Sequence, residues 1–158
     1  MVELKRRGGG LFVQPILDTK NNANLITAPL KTDLSEAISI LVAPKIAVVI
    51  VSETDKNGLG ILSERDIICA LSKAGTNALS APVEQFMSRD LVSCSPQKSA
   101  DGVLALMTEN RFRHMPVLEA GALIGLLSQG DVIFARLQEI LMQKVATRHD
   151  YRAIAPCI

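Results

Sequence analysis

The segment Gly60-Ile61-Leu62-Ser63-Glu64-Arg65-Asp66-Ile67 returns as Gly125-Leu126-Leu127-Ser128-Gln129-Gly130-Asp131-Val132, so Asp66 and Asp131 stand 65 positions apart. A chain that repeats itself at such a period folds as copies of one small supersecondary unit, which excludes most architectures at once. At the same offset Ser35-Glu36-Ala37-Ile38 falls on Ala100-Asp101-Gly102-Val103. With one residue gained, Ile46-Ala47-Val48-Val49 falls on Phe112-Arg113-His114-Met115. Upstream, Val13-Gln14-Pro15-Ile16-Leu17 is similar in spacing to Val83-Glu84-Gln85-Phe86-Met87.

Both copies read alike. A short strand over residues 24–28 or 91–95 runs into a turn at Pro29 or Pro96, and a helix signal begins at Asp33 or Ser99. In the second copy Val103, Leu104, Leu106 and Met107 recur at helical spacing, which marks one buried face. A strand follows over 46–51 or 114–118, then a turn at 55–58 or 119–121. A second strand ends at Ser63 or Ser128, where an amphipathic helix starts, over 66–74 or from 131 to about 145. Pro44 forces the first long helix to end early. Each unit is therefore β-α-β-β-α, and the fold class is α+β. So small a unit leaves its sheet half covered, so the two must pair about a pseudo-twofold axis, with two related clefts between them. The expected boundaries are a flexible leader over 1–10, a first repeat over 11–79, a second over 80–140 and a C-terminal extension over 141–158.

Hydrophobic residues make up 48% and aromatics 3% with no Trp, so the core is expected to be aliphatic. Lys and Arg number 17 against 16 acids, and a net charge of +1 supplies no field to draw nucleic acid or anionic lipid. The basic cluster Lys5-Arg6-Arg7 before Gly8-Gly9-Gly10 reads as a solvated leader. Cys69, Cys94 and Cys157 are widely separated, which disfavours a disulfide framework or a metal site and fits a reducing compartment. The longest apolar run, 46–51, is too short for a bilayer, and Gln14 and Pro15 interrupt the only apolar stretch near the start. A cytoplasmic protein without a membrane crossing is expected.

The stretches Leu59-Gly60-Ile61-Leu62-Ser63-Glu64-Arg65-Asp66 and Arg111-Phe112-Arg113-His114-Met115-Pro116-Val117, with their repeated strand, Gly-apolar-apolar-Ser-x-x-Asp and helix, resemble the CBS domain family, named for cystathionine β-synthase. The resemblance covers most of residues 11–140 and implies one CBS-pair (Bateman) module. It further implies AMP, ADP, ATP or NAD as a regulatory ligand, a non-catalytic role toward an unidentified regulated protein, and a homodimer joined through helices. Two alternatives stand beside it: a ligand-free dimerisation scaffold, and an accessory subunit of a nucleotide-metabolising enzyme. A catalytic barrel of about 250 residues does not fit this length.

Ser-x-x-Asp at a helix start is first of all a capping box, each side chain satisfying a free backbone N–H. The second reading has Asp66 or Asp131 accept hydrogen bonds from ribose hydroxyls while Ser63 or Ser128 supports the sugar or phosphate. Arg113 and His114 are expected beside the Asp131 cleft as phosphate donors. Their first-copy counterparts, Ala47 and Val48, offer no cation. The Asp131 cleft is thus expected to take phosphorylated ligand, and the Asp66 cleft to be weak, empty or filled by a nucleoside part, with Arg65 replacing some of the missing charge. The resemblance also implies that the early strand of each repeat closes the other repeat's site, which sends Thr27 to the Asp131 cleft and Ser93 to the Asp66 cleft. Ala47, Val48, Met115 and Pro116 would line adenine slots, or serve as core. Arg148-His149-Asp150 has no counterpart in the repeats and no nucleophile elbow beside it.

Overall fold

In the computed structural model, residues 10–20, 25–43, 46–53 and 60–153 are described, side chains through 145. Helix α1 (Val13–Thr19) leads into β1 (Thr27–Ala28), α2 (Leu34–Val42), β2 (Val48–Val51), β3 (Gly60–Ser63) and α3 (Glu64–Ala74). Two stretches of 3-10 helix, Gly75–Ser80 and Val83–Gln85, connect to α4 (Ala100–Glu109), β4 (His114–Glu119), β5 (Ala122–Ser128) and α5 (Gln129–Ala153). Both copies thus place an antiparallel strand pair in front of a helix that starts one residue after the motif serine. The α+β pair read from the repeat is the fold observed.

The first sheet has the order β1-β2-β3, with β1 parallel to β2 and β2 antiparallel to β3. The second contains only β4 and β5, so the strand expected over 91–95 is reduced to one bridge, Cys94 beside Val117. The cause is a single residue. In the first copy Ile50 N–H donates to Ile26 O at 3.2 Å and holds β1 in place. The residue equivalent to Ile50 is Pro116, which has no N–H to donate. What remains around Cys94 is its own N–H to Pro116 O at 3.0 Å and Leu118 N–H to Cys94 O at 2.9 Å.

Helix lengths follow their stop signals. The first long helix, α2, ends at Val42, two residues short of Pro44, while α4 runs through Glu109 from an N-cap at Ser99. The α3 helix stops at Gly75, whose φ of +58° suits glycine. In α5 no glycine or proline occurs after Gly130, and it continues to Ala153, past the expected end near 145 and through the start of the expected extension at 141.

Two aliphatic cores form, and their membership crosses the sequence boundary. Val49, Leu62 and Ile67 of the first copy pack with Val83 and Met87, whereas Val13, Ile16 and Leu17 pack with Met107, Met115 and Leu127 of the second. The backbone makes the exchange symmetrical. Val13 N–H bonds to Lys98 O at 3.0 Å and Ala100 N–H to Leu11 O at 2.8 Å; in the other half Val83 N–H bonds to Thr32 O at 2.9 Å and Leu34 N–H to Ala81 O at 3.0 Å. The segments that cross are thus those preceding each early strand. The expectation that the early strand itself crosses is corrected, since β1 pairs with β2 of its own copy. The crossing 87–88 segment also explains Gly60, where a Cβ would lie 2.6 Å from Met87 Sδ.

Because α1 fills the second core, Leu17→Ala is expected to cost about 2–4 kcal/mol of unfolding free energy in urea titration, and to loosen amide exchange in β4 and β5 before β2 and β3.

Candidate functional site

Both motif helices begin with the capping geometry read from the sequence. Ser63 N–H donates to Asp66 Oδ2 at 2.8 Å and Asp66 N–H to Ser63 Oγ at 3.4 Å. Ser128 N–H donates to Asp131 Oδ2 at 2.7 Å and Asp131 N–H to Ser128 Oγ at 3.1 Å. Capping uses one carboxylate oxygen of each aspartate and leaves the other for a further partner. What surrounds each carboxylate distinguishes the two ends of the molecule.

At Asp66 the surroundings are open. Ser63 and Asp66 line a cavity of about 770 Å³ with Ala47 and Ile61 of the first copy, facing Arg111, Arg113, His114 and Pro116 of the second. A smaller cavity of about 240 Å³ adjoins it, sharing Ile61, Leu91 and Pro116 and reaching Ser93, Ile50 and Leu118. Arg65, Arg111 and Arg113 all border the larger cavity, and none forms an ion pair or side-chain hydrogen bond among the described residues. Glu64, Asp66 and Asp90 balance part of that charge. Three unpaired guanidinium groups around one hollow form a ready receptor for phosphate oxygens.

At Asp131 a side chain already fills the place. Lys20, just beyond α1, donates to Asp131 Oδ2 at 2.6 Å and to Leu126 O at 3.1 Å. Burial alone would raise the Asp131 carboxyl, but hydrogen bonds from Lys20 and Ser128 outweigh it and hold the group below its ordinary value. Sequence reasoning missed Lys20, because it lies outside the motif and reaches Asp131 only through the exchange of α1.

Arg113 and His114 do not stay with the Asp131 side alone, although His114 pairs with Ser128 in the β4–β5 ladder. Arg113 and His114, expected beside Asp131, line the cavity of Asp66, because the start of β4 faces the start of α3 across the axis. Gln129 N–H bonds to Arg113 O at 2.8 Å, and Glu64 N–H to Ala47 O at 3.3 Å, so each strand start is tied to its own helix while its side chains meet the other copy. His114 sits near the middle and feels both sides. Its pKa falls below the ordinary value, chiefly through burial and then through Lys20 and Arg113, which outweigh Asp131 and Glu64. Met115 is fully buried in the second core and lines neither cavity; Val48, buried in β2, lines neither. Thr27 pairs with Ile50 and borders neither cavity, whereas Ser93 borders the smaller one. Ala47 and Pro116 border the larger. Arg111, quoted in the motif but given no role, joins them with φ of 57°, a left-handed conformation unusual for arginine.

Among the described residues no cluster of His, Cys, Asp or Glu has metal-holding geometry, and no helix is long and apolar enough to cross a membrane. Cys94 is buried and its thiol is pushed up to about 11 by that burial, which suits a core residue.

The sequence profile of the CBS domain matches residues 18–73 and 83–138. The chain belongs to the CBS domain family. The CBS-domain protein ATU1752 of Agrobacterium tumefaciens is similar in structure, with a TM-score of 0.75 at 38% identity over 79% of this chain and 98% of that one. The structure of CBSX2 in complex with AMP gives a TM-score of 0.65 at 26% identity over 71% of this chain and 84% of that one. The mitochondrial CBS domain-containing protein CBSX3 of Arabidopsis thaliana is 33% identical over 96 residues, which is 59% of this chain. The chain spans 47% of CBSX3, and 66% and 39% of curated relatives from Acidianus ambivalens and Methanocaldococcus jannaschii.

The Asp131 network sets an acid response. A carboxyl whose folded pKa is depressed adds stability that is complete above its unfolded value, near 3.8, and is lost as pH falls through the lower folded value. The stability gap between wild type and Asp131→Asn is therefore expected to stay level from neutral pH down to about 4 and to close below that, as read by urea unfolding across a pH series.

Proposed function

We propose that the Asp66 cleft of this CBS pair binds an adenine nucleotide and that occupancy regulates a partner rather than leading to turnover. Paired CBS domains are in general adenine-nucleotide-binding regulatory modules, and CBSX2, of like fold, holds AMP. The observation that carries the reading is the convergence on the hollow containing Asp66 of three guanidinium groups, unpaired among the described residues. In this reading Asp66 Oδ1, which Ser88 Oγ approaches at 3.5 Å, accepts the ribose hydroxyls, and Arg65, Arg111, Arg113 and His114 surround the phosphates. The base lies against Ile61, Leu91 and Pro116, with Ser93 at the rim. Occupancy links α3 of one copy to β4 of the other, so ligand binding biases how the halves sit together.

Isothermal titration with adenosine, AMP, ATP and NAD tests it. Saturable binding is expected, weakened about 10- to 100-fold by Asp66→Ala, which removes charge-assisted bonds. Arg113→Ala is expected to weaken AMP similarly and to leave adenosine almost unaffected. If Asp66→Ala lowers only stability and leaves affinity intact, the aspartate is a cap and the nucleotide reading fails.

A specific feature favours self-association alongside ligand binding. Ile68 on α3 and Ile133 on α5 occupy equivalent repeat positions, and both are exposed, at 66% and 50%. Phe134, Leu137, Leu141 and Val145 extend that apolar stripe along α5. A face built from two equivalent helices is self-complementary under twofold rotation, which suits an isologous homodimer. Light scattering after gel filtration is expected to give a dimer for wild type and a folded monomer for Phe134→Glu; a wild-type monomer at all concentrations would refute this.

A further inference from the structure

We infer that Lys20 occupies the second motif site in place of a ribose, so that each chain holds one nucleotide and the identity of this residue sets that number. The inference rests on reading the Asp66 cleft as the nucleotide site. Its basis is a comparison of the two copies. In each, the motif aspartate spends Oδ2 on capping. At Asp66, Oδ1 meets Ser88 Oγ at 3.5 Å, and the aspartate lines the open cavity. At Asp131, the Lys20 ammonium sits 2.6 Å from that same Oδ2 and 3.1 Å from Leu126 O, one cation bridging the carboxylate and the end of β5. A ribose diol reaching for the remaining Oδ1 would have to share the carboxylate with an ammonium already bound to it.

The repeat explains why only one site is filled. The exchanged segments match at Val13 and Val83 and at the bridges Phe12 to Ser99 and Asp33 to Pro82. In that register the counterpart of Lys20 is Asp90, which borders the open cavity. An acid beside Asp66 cannot pair with it, and like charges keep the two carboxylates apart. The same structural position thus carries a plug in one half and leaves a vacancy in the other. It is the ordering of α1 on the second core that delivers the plug, since Lys20 follows the last turn of that helix and its N–H bonds to Leu17 O at 3.1 Å.

Titration calorimetry of adenosine and AMP into the full chain, read as sites per chain, tests the inference with Lys20→Met and Lys20→Arg. Lys20 is partly exposed, so both variants are expected to fold, which circular dichroism checks. Wild type and Lys20→Arg are expected to bind one AMP each, and Lys20→Met to bind one AMP plus a second ligand that accepts adenosine. One site in all three proteins, two in wild type, or a weakened first site in Lys20→Met would each overturn it. Failure of the underlying reading looks different. No binding by wild type but one site in Lys20→Met would keep the plug while refuting the Asp66 site, and no binding by any of them would refute both.

Discussion

Neither half of this molecule is closed by its own stretch of chain. The sheet of the first copy is covered by residues 83–87, which precede the second, and the second core is completed by α1, which precedes the first. Four backbone hydrogen bonds fix these crossings, pairing 11–13 with 98–100 and 81–83 with 32–34. A free unit of this size would leave one sheet face in water, so the reciprocal cover is the condition on which both cores exist. The same crossings decide what lies beside each motif helix, because the residue that ends each crossing segment is placed next to an aspartate of the other half.

Symmetry supplies two sites, and single residues then make them unequal. Pro116 removes a ladder bond and with it a strand, and the 88–94 segment, tied at Ser88 to Ile61 and at Cys94 to Pro116 and Leu118, lines both cavities through Leu91. Arg113 and His114 replace the neutral Ala47 and Val48 of the first copy and, with Arg65 and Arg111, give one hollow its charge. Lys20 against Asp90 decides which motif carboxylate carries a cation. None of these changes disturbs the cores, where Val49 and Met115 or Leu62 and Leu127 are equivalent and fully buried. Packing tolerates the divergence because it is confined to the seam.

The repeat made the architecture legible, since a period of 65 with matching strand, turn and cap signals leaves little freedom in how a unit folds. Helix starts at Ser63, Ser99 and Ser128 were readable from cap residues, and the early end of α2 from Pro44. The site was legible by residue type and not by partner. Arg113 was assigned to Asp131 because sequence arithmetic pairs a strand with the helix that follows it in the same copy. Across a pseudo-twofold axis the side chains at a strand start meet the opposite copy, a relation between units that no period within a unit encodes. Lys20 was invisible for the same reason. The missing strand over 91–95, by contrast, was available in principle, because Pro116 in the neighbouring strand forbids the bond that strand needs.

His114 lies where these asymmetries meet. It lines the open cavity, yet the charges acting on it include Lys20 and Asp131 of the filled site. Burial and the nearby cations Lys20 and Arg113 favour the neutral imidazole over the charged one more than in an exposed histidine. An anionic ligand brings the opposite charge to a half-buried group and thereby favours proton uptake there. Removal of the Lys20 ammonium acts in the same direction from the other side, though Asp131, no longer paired, adds to it. Charges of both motif sites thus act on one titratable group, His114, at the seam between the copies.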